Sequence, residues 1–282
     1  MRVLVTGSAG LLGSAVAEEF RRGCTVEAAD RSVLDITDAA AVRSLVARVR
    51  PDVIVNCAAF NDVDAAELDA SAALAVNALG VLALAHAARE HGATFVHYST
   101  DFVFDGESTR PYTEEDPPSP RNTYAMSKLL GEWFAADAPR WYVLRVESLF
   151  GGPGVRAGAR RGSLGTIADR IRAGEIVPVF VDRTVSPSYT PDVATATRAL
   201  VERNTPPGLY HCVNDGTGTW RDVAEEIASR LGRTLTLREL TLETVVLRAP
   251  RPRYCAMSPA RLASFGIVMP DWRDAVRRYL AA

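Results

Sequence analysis

Apolar residues in the first half of the chain fall into short unbroken runs separated by longer Ala-rich stretches, the alternation that builds parallel βαβ units. Arg2–Thr6, Thr25–Ala29, Val53–Cys57, Thr94–Tyr98 and Trp141–Arg145 read as strands. Val53-Ile54-Val55 and Tyr142-Val143-Leu144 show no polar alternation, as strands covered on both faces require. Leu11–Arg22, Asp38–Arg50, Ala72–His91 and Tyr124–Ala135 read as crossover helices. The pattern predicts an α/β fold with a Rossmann-like, doubly wound parallel sheet.

The texture changes after Arg145. Gly151–Gly165 is rich in Gly and Arg, and Pro187, Pro191, Pro206 and Pro207 punctuate the rest of the chain. Helices are expected at Thr190–Glu202, at Trp220–Leu231 with Thr219 as its cap, and at Asp271–Leu280. Trp220 and Trp272, at two helix starts, read as packing anchors. The expected organisation is a larger domain over 1–150, completed by a helix at about 190–203, and a smaller α/β lobe over 151–282.

Composition narrows the function classes. With 48% hydrophobic and 23% charged residues and a net charge of -2, the chain has an ordinary globular balance and not that of a nucleic-acid binder. Cys24, Cys57, Cys212 and Cys255 lie far apart with no Cys-x-x-Cys pair, which suits a reducing cytoplasm and suggests neither a disulfide framework nor a zinc cage. The apolar run at Met1–Gly7 is too short for a signal peptide or a span, so no membrane partner is expected. His86, His91, His97 and His211 have no carboxylate spacing around them, and no metal site is expected.

The first strand runs into Thr6-Gly7-Ser8-Ala9-Gly10-Leu11-Leu12-Gly13, which also opens the first helix. Glycines at such a turn let a pyrophosphate reach bare backbone and a helix N-terminus. This assigns Gly7, Gly10, Leu11, Leu12 and Gly13 to a dinucleotide, and 1–150 becomes a dinucleotide-binding domain. Asp30 ends the second strand where a carboxylate accepts from ribose hydroxyls, while Arg31 suits a 2'-phosphate, so NAD(H) and NADP(H) both stay open. Asp35 and Ile36 would flank the adenine. Cys57, Ala58 and Ala59 set small residues where backbone passes the cofactor.

Tyr124 and Lys128 are four apart and so share one helix face. A lysine cation beside a phenol favours the phenolate and is expected to bring its pKa down toward the working range, making Tyr124 a general acid. Thr100, just past a strand, would lie at the carboxyl edge of the sheet and hold a substrate oxygen.

Together these residues resemble the extended short-chain dehydrogenase/reductase family, and within it the branch of dTDP-4-dehydrorhamnose reductases. The resemblance covers nearly the whole chain. It includes Asn56–Glu67, Val76-Asn77, Ser99-Thr100-Asp101-Phe102-Val103-Phe104-Asp105-Gly106, Tyr112–Asp116, Ser127–Glu132, Gly208–His211 and Arg251-Pro252. It implies an NAD(P)H-dependent reductase of a keto group on a nucleotide-linked deoxysugar, with 151–282 as the substrate-binding lobe. Thr100, Tyr124 and Lys128 would be catalytic, Lys128 also holding the nicotinamide ribose. Asn77 would support the cofactor, and Asp101, Phe102, Ser148 and Arg251 would face the substrate.

The chain also departs from that branch. Phe102 stands where related 4,6-dehydratases carry a second catalytic acid, which argues against dehydration. Ser148 stands where the reductases usually carry a tryptophan, and Arg183 replaces a neutral amide. Arg156, Arg160 and Arg161 in the Gly/Arg segment would clamp a diphosphate or simply face solvent. The resemblance is compatible with a homodimer. It also includes the non-catalytic regulatory β subunit of methionine adenosyltransferase, against which the intact Thr100, Tyr124 and Lys128 count, and sugar-nucleotide epimerases of the same fold.

Overall fold

A computed structural model describes residues 1–151 and 162–281, so Arg156, Arg160 and Arg161 lie outside the described residues. The chain opens with β1 (Arg2–Thr6), α1 (Leu11–Arg21), β2 (Thr25–Ala29), α2 (Ala39–Val49) and β3 (Val53–Asn56). There follow α3 (Val63–Leu68), α4 (Ala70–Leu74), a π-helical turn (Ala75–Leu79) and α5 (Gly80–His91). Then come β4 (Thr94–Thr100), a 3-10 turn (Asp101–Val103), α6 (Thr123–Ala135), β5 (Trp141–Val146) and α7 (Gly162–Ala173). The remainder is β6 (Val177–Phe180), β7 (Thr184–Val185), α8 (Thr190–Glu202), β8 (Gly208–His211), β9 (Gly218–Thr219), α9 (Trp220–Leu231), β10 (Leu237–Leu240), α10 (Ala260–Ser264) and α11 (Trp272–Ala281).

Six strands pair in the order β2-β1-β3-β4-β5-β8, every pairing parallel. The chain steps from β1 outward to β2 and then crosses back to β3, so β1 and β3 flank the switch point where α/β sheets open a ligand crevice. One face of the sheet packs Val3, Val5, Val55 and Leu144 against Val16 and Phe20 of α1 and Val193 and Leu200 of α8. The other packs Leu4, Ile54 and Phe95 against Val42 and Val46 of α2 and Leu84 and Ala88 of α5. Burying each such Val, Leu or Phe favours the fold by about 1.5–3 kcal/mol.

A separate core gathers Leu164 and Ile167 of α7, Val177 and Val179 of β6, Val223 and Ile227 of α9 and Trp272 of α11. β6 and β10 form one small parallel sheet there, β7 and β9 an antiparallel one. Thr219 and Asp222 close a reciprocal capping box on α9, as the Thr219 cap predicts.

Two expected boundaries shift with consequence. β4 runs two residues further than expected, making Thr100 its last residue, because Ser99 and Thr100 pair in register with Arg145 and Val146 of β5. The expected single helix at Ala72–His91 begins at Ala70 and contains the π turn. By length and a hydropathy of 1.7, Ala70–His91 is apolar enough to cross a membrane, but here it is the crossover between β3 and β4, with Val81, Leu84 and Ala88 buried under the sheet.

Candidate active site

The carboxyl ends of β1, β3 and β4 open onto a cavity of about 930 Å³, closed on the far side by α7, β6 and Trp220. Its floor begins at the glycine turn. Gly7 takes φ +63, and a Cβ there would lie 2.6 Å from the Ala58 amide nitrogen. At Gly13 a Cβ would lie 2.2 Å from the Gly7 carbonyl oxygen, so helix α1 starts as close to the turn as backbone allows. Gly10 caps α1 with no side-chain hydrogen bond. The amides at 11, 12 and 13 therefore open the helix without intrahelical acceptors, at its positive end and on the cavity wall. Bare donors and close glycines fit a dinucleotide pyrophosphate.

The second wall follows β3. Thr6 Oγ1 donates to Asn56 Oδ1 at 2.6 Å, and the Ala58 amide donates to the same oxygen at 3.1 Å, which fixes the bend that brings Cys57, Ala58, Ala59 and Asn61 to the cavity. Burial pushes the Cys57 thiol up, so it stays protonated and behaves as a small apolar group.

The third wall joins β4 and α6. Asn122 caps α6 through the Ala125 amide, and the next turns place Tyr124 and Lys128 on the cavity side, both buried. Lys128 Nζ donates to the Tyr98 carbonyl at 2.5 Å and lies 3.5 Å from His97 Nε2. Asn56 Nδ2 is 3.1 Å from His97 Nδ1, so Thr6, Asn56, His97 and Lys128 form one buried polar row. Burial holds His97 well below its ordinary pKa, and the Lys128 charge lowers it further, so the ring is neutral.

Thr100 Oγ1 donates to Asp101 Oδ1 at 2.9 Å and accepts from the Phe102 amide at 3.2 Å, capping the 3-10 turn. Behind them Arg145 binds Glu132 through two nitrogens at 2.9 and 2.8 Å, and Ser99 Oγ donates to the same carboxylate at 2.5 Å. This buried pair locks α6 to β4 and β5.

One electrostatic expectation is corrected. Tyr124 is not brought down toward the working range: burial pushes its phenol up, the Thr100 hydroxyl pulls it partly back, and the Asp101 charge pushes it up again. The reason is geometric. The phenol is out of water, and the lysine expected to lower it is engaged on the Tyr98 carbonyl and is itself held down by burial.

The cavity brings together Gly10, Leu11, Leu12, Gly13, Cys57, Ala58, Ala59, Thr100, Asp101, Tyr124, Lys128 and Ser148. Ser148 adopts φ +44, a left-handed conformation at the position where a tryptophan was the expected neighbour of a sugar. Other expected residues lie elsewhere. Gly7 shapes the turn from behind. Asp30 Oδ1 accepts from the Ser32 amide, the Ser32 hydroxyl and the Val33 amide, while Arg31 is 91% exposed and 3.8 Å from Asp35. Ile36 is buried against Gly80, and Asp35 caps its own turn through Thr37.

Asn77 is fully buried and spent on the protein: its side chain accepts from the Phe60 amide and donates to the Phe60 carbonyl and to Ser127 Oγ. It holds the β3 loop and α6 in place without lining the cavity. Phe102 meets the Tyr124 ring edge-on at 6.0 Å and packs behind it. Arg251 pairs with Asp64 at 2.9 Å and borders a second, smaller cavity.

Sequence reasoning missed the opposite wall: Thr166 and Arg170 of α7, Pro178 to Phe180 of β6, Arg183 and Trp220. Trp220 is both an anchor, 6% exposed, and a wall residue. The departure at Arg183 was the one available signal. His97, read as having no role, lies beside Lys128.

The model for the RmlD substrate-binding domain matches residues 1–282. A dTDP-4-dehydrorhamnose reductase from Streptomyces griseus is 38% identical over 98% of this chain and 91% of its own length. The spore coat polysaccharide biosynthesis protein SpsK of Bacillus subtilis is 33% identical over 99% of this chain and 96% of its own. Among solved structures, dTDP-4-dehydrorhamnose reductase from Bacillus anthracis in complex with NADP superposes with a TM-score of 0.92 at 30% identity, covering 99% of this chain and 98% of that one. A cavity built on the glycine turn, the Thr100 edge and the Tyr124 helix, with these matches over its whole length, makes the chain a member of the RmlD substrate-binding domain family, on the Rossmann-like fold of the extended short-chain dehydrogenases.

Proposed function

We propose that this chain is an NAD(P)H-dependent reductase that converts the keto group of a nucleotide-linked deoxysugar to an alcohol, as a dTDP-4-dehydrorhamnose reductase does. One observation supports it most: Thr100, Tyr124 and Lys128 line the same cavity as the amides at 11 to 13, so the proton-handling groups and the pyrophosphate turn serve one space. The relative from Bacillus anthracis was solved with NADP, which fits the same turn here.

A bound reduced nicotinamide supplies the hydride. The residues supply everything else. Thr100 holds the substrate oxygen at the edge of the sheet. Tyr124 keeps its proton in the resting site because burial disfavours the phenolate, and gives it up only as negative charge develops on that oxygen. Lys128, fixed on the Tyr98 carbonyl, would hold the cofactor ribose. Arg170 and Trp220 on the far wall present a cation and an aromatic face to the nucleotide diphosphate.

The test is consumption of NADPH or NADH by the purified protein with dTDP-4-dehydrorhamnose. Tyr124→Phe should lower turnover by about 10²- to 10⁴-fold, the range for a lost general acid. Turnover that survives this change, or cofactor that cycles without net consumption, would overturn the reading, the latter in favour of an epimerase.

A further inference from the structure

Beneath Thr100 lies a group of side chains that hydride transfer and protonation by Tyr124 leave unused. Asp101, Glu147 and Cys255 are all buried, and bring one oxygen or sulfur each to within 4.8 Å of one another. Arg183 closes the group by donating to Cys255 Sγ at 3.1 Å and to the Pro252 carbonyl at 3.0 Å. Asp101 Oδ1 accepts from Thr100, and Glu147 Oε2 accepts from the Ser186 amide at 2.6 Å. The other two carboxylate oxygens, Asp101 Oδ2 and Glu147 Oε1, are buried without a hydrogen-bond partner.

The charges do not balance if every acid is ionised. Two carboxylates and one guanidinium leave one negative charge in a buried space, with Cys255 held as a neutral thiol by burial. A metal ion would have to displace Arg183 from the cluster, whereas a single proton on the pair restores neutrality. The groups facing the pair are Thr100 from β4, Tyr124 from α6, Arg183 from the loop before β7, and Tyr254 and Cys255 from the segment beside it. Among them only Arg183 is cationic.

We infer that Asp101 and Glu147 hold one proton in common and return it to Tyr124 through the Thr100 hydroxyl after each reduction. The inference rests on the proposed roles of Tyr124 and Thr100, and makes Asp101 and Glu147 positioning residues that act through Thr100. The protons balance. Tyr124 gives its proton to the alkoxide oxygen, Thr100 gives its own to the phenolate, and the pair gives one to Thr100 as the Asp101 carboxyl turns over, exchanging the oxygen that Thr100 faces for the one that carries the proton. The pair is then two carboxylates facing Arg183, and water reaching Asp101 from the cavity it lines refills it. Burial raises Asp101 to about 6, and burial together with the Asp101 charge raises Glu147 well above its usual range, so at neutral pH the pair keeps its proton mainly on Glu147. The arrangement also explains the cation at 183, where the related reductases carry an amide.

Glu147→Gln keeps an acceptor for the Ser186 amide but cannot share a proton. Without its neighbour, Asp101 faces Arg183 alone and ionises at lower pH. With dTDP-4-dehydrorhamnose and NADPH, the alkaline fall of kcat should therefore move down by about one pH unit in this variant, so that about fivefold more activity is lost between pH 6 and pH 8 than in the parent. The parent's rate in mixtures of H2O and D2O should curve, reporting more than one proton in motion. Superimposable pH profiles together with a linear isotope dependence overturn the relay, and if Tyr124→Phe is inactive they do so while the reductase assignment stands. Should Glu147→Gln fail to fold, the curvature in the parent decides alone.

Discussion

Lys128 Nζ donates to the main-chain carbonyl of Tyr98, so the helix that carries the phenol is tied directly to the strand that ends at Thr100. The ammonium is held there in a buried site. Burial lowers its pKa from 10.5 to about 8, against the opposing pull of Glu132 and Cys57.

The stability of the ligand-free protein should carry the mark of this burial. The folded chain releases this proton at lower pH than the unfolded chain, so Lys128 contributes more to stability as pH rises from about 8 toward 10.5. Comparing urea unfolding of the parent with Lys128→Met should show the difference moving by about 2 kcal/mol in the parent's favour between pH 7.5 and pH 10. A difference that stays level or moves the other way would show that the lysine is not held in a desolvated site.

The buried Glu132–Arg145 pair should be asymmetric in its response to mutation. Arg145→Met leaves a buried carboxylate with Ser99 as its hydrogen-bond partner and should cost about 3–5 kcal/mol. Replacing both partners by apolar residues of similar size should restore most of that loss. Chemical denaturation of the two single variants and the double one measures it, and equal costs for the single and double changes would refute it.

Gly13→Ala should do more harm than Gly10→Ala. A Cβ at 13 meets the Gly7 carbonyl oxygen at 2.2 Å, whereas at 10 the same oxygen is 3.2 Å away. Backbone must move in the first case, at a cost of about 1–3 kcal/mol. Thermal melts should rank the two in that order, and NADPH fluorescence titration should show the larger loss of affinity for Gly13→Ala.

Cofactor preference should depend on Arg31. Its side chain is 91% exposed at the end of β2, beside an Asp30 that serves its own turn. Arg31→Ala should weaken NADPH by about tenfold, close to the 1.4 kcal/mol expected of one charge-assisted contact, and change NADH little. Equal effects on both would mean that this arginine does not read the 2'-phosphate.

The parallel core was readable because strands covered on both faces must carry unbroken apolar runs, as Val53-Ile54-Val55 of β3 and Tyr142-Val143-Leu144 of β5 do. β8 escaped because Gly208–His211 is four residues long and lies beyond a change of texture, yet it pairs beside β5. The half of the site that follows β1, β3 and β4 was readable because strand ends in such a sheet converge by rule. The half contributed by α7, β6 and Arg183 was not, since nothing local says which surface of a second core will face the first. Arg251 and Asn77 show the limit of motif reasoning: the sequence marks them, but their partners, Asp64 and Phe60, decide where they point.

The π turn at Ala75–Leu79 has a further consequence. An α-helix advances about 100° per residue, so shortening this stretch by one would return it to regular helix and swing every residue before it by roughly a quarter turn. Asn77 would lose Phe60 and Ser127. Its carbonyl, which already leaves no room for a Cβ at Gly131, would turn away from α6. Length variation among natural or engineered versions of this chain should therefore be tolerated in the surrounding loops and refused in these five residues, where the count matters more than the side chains.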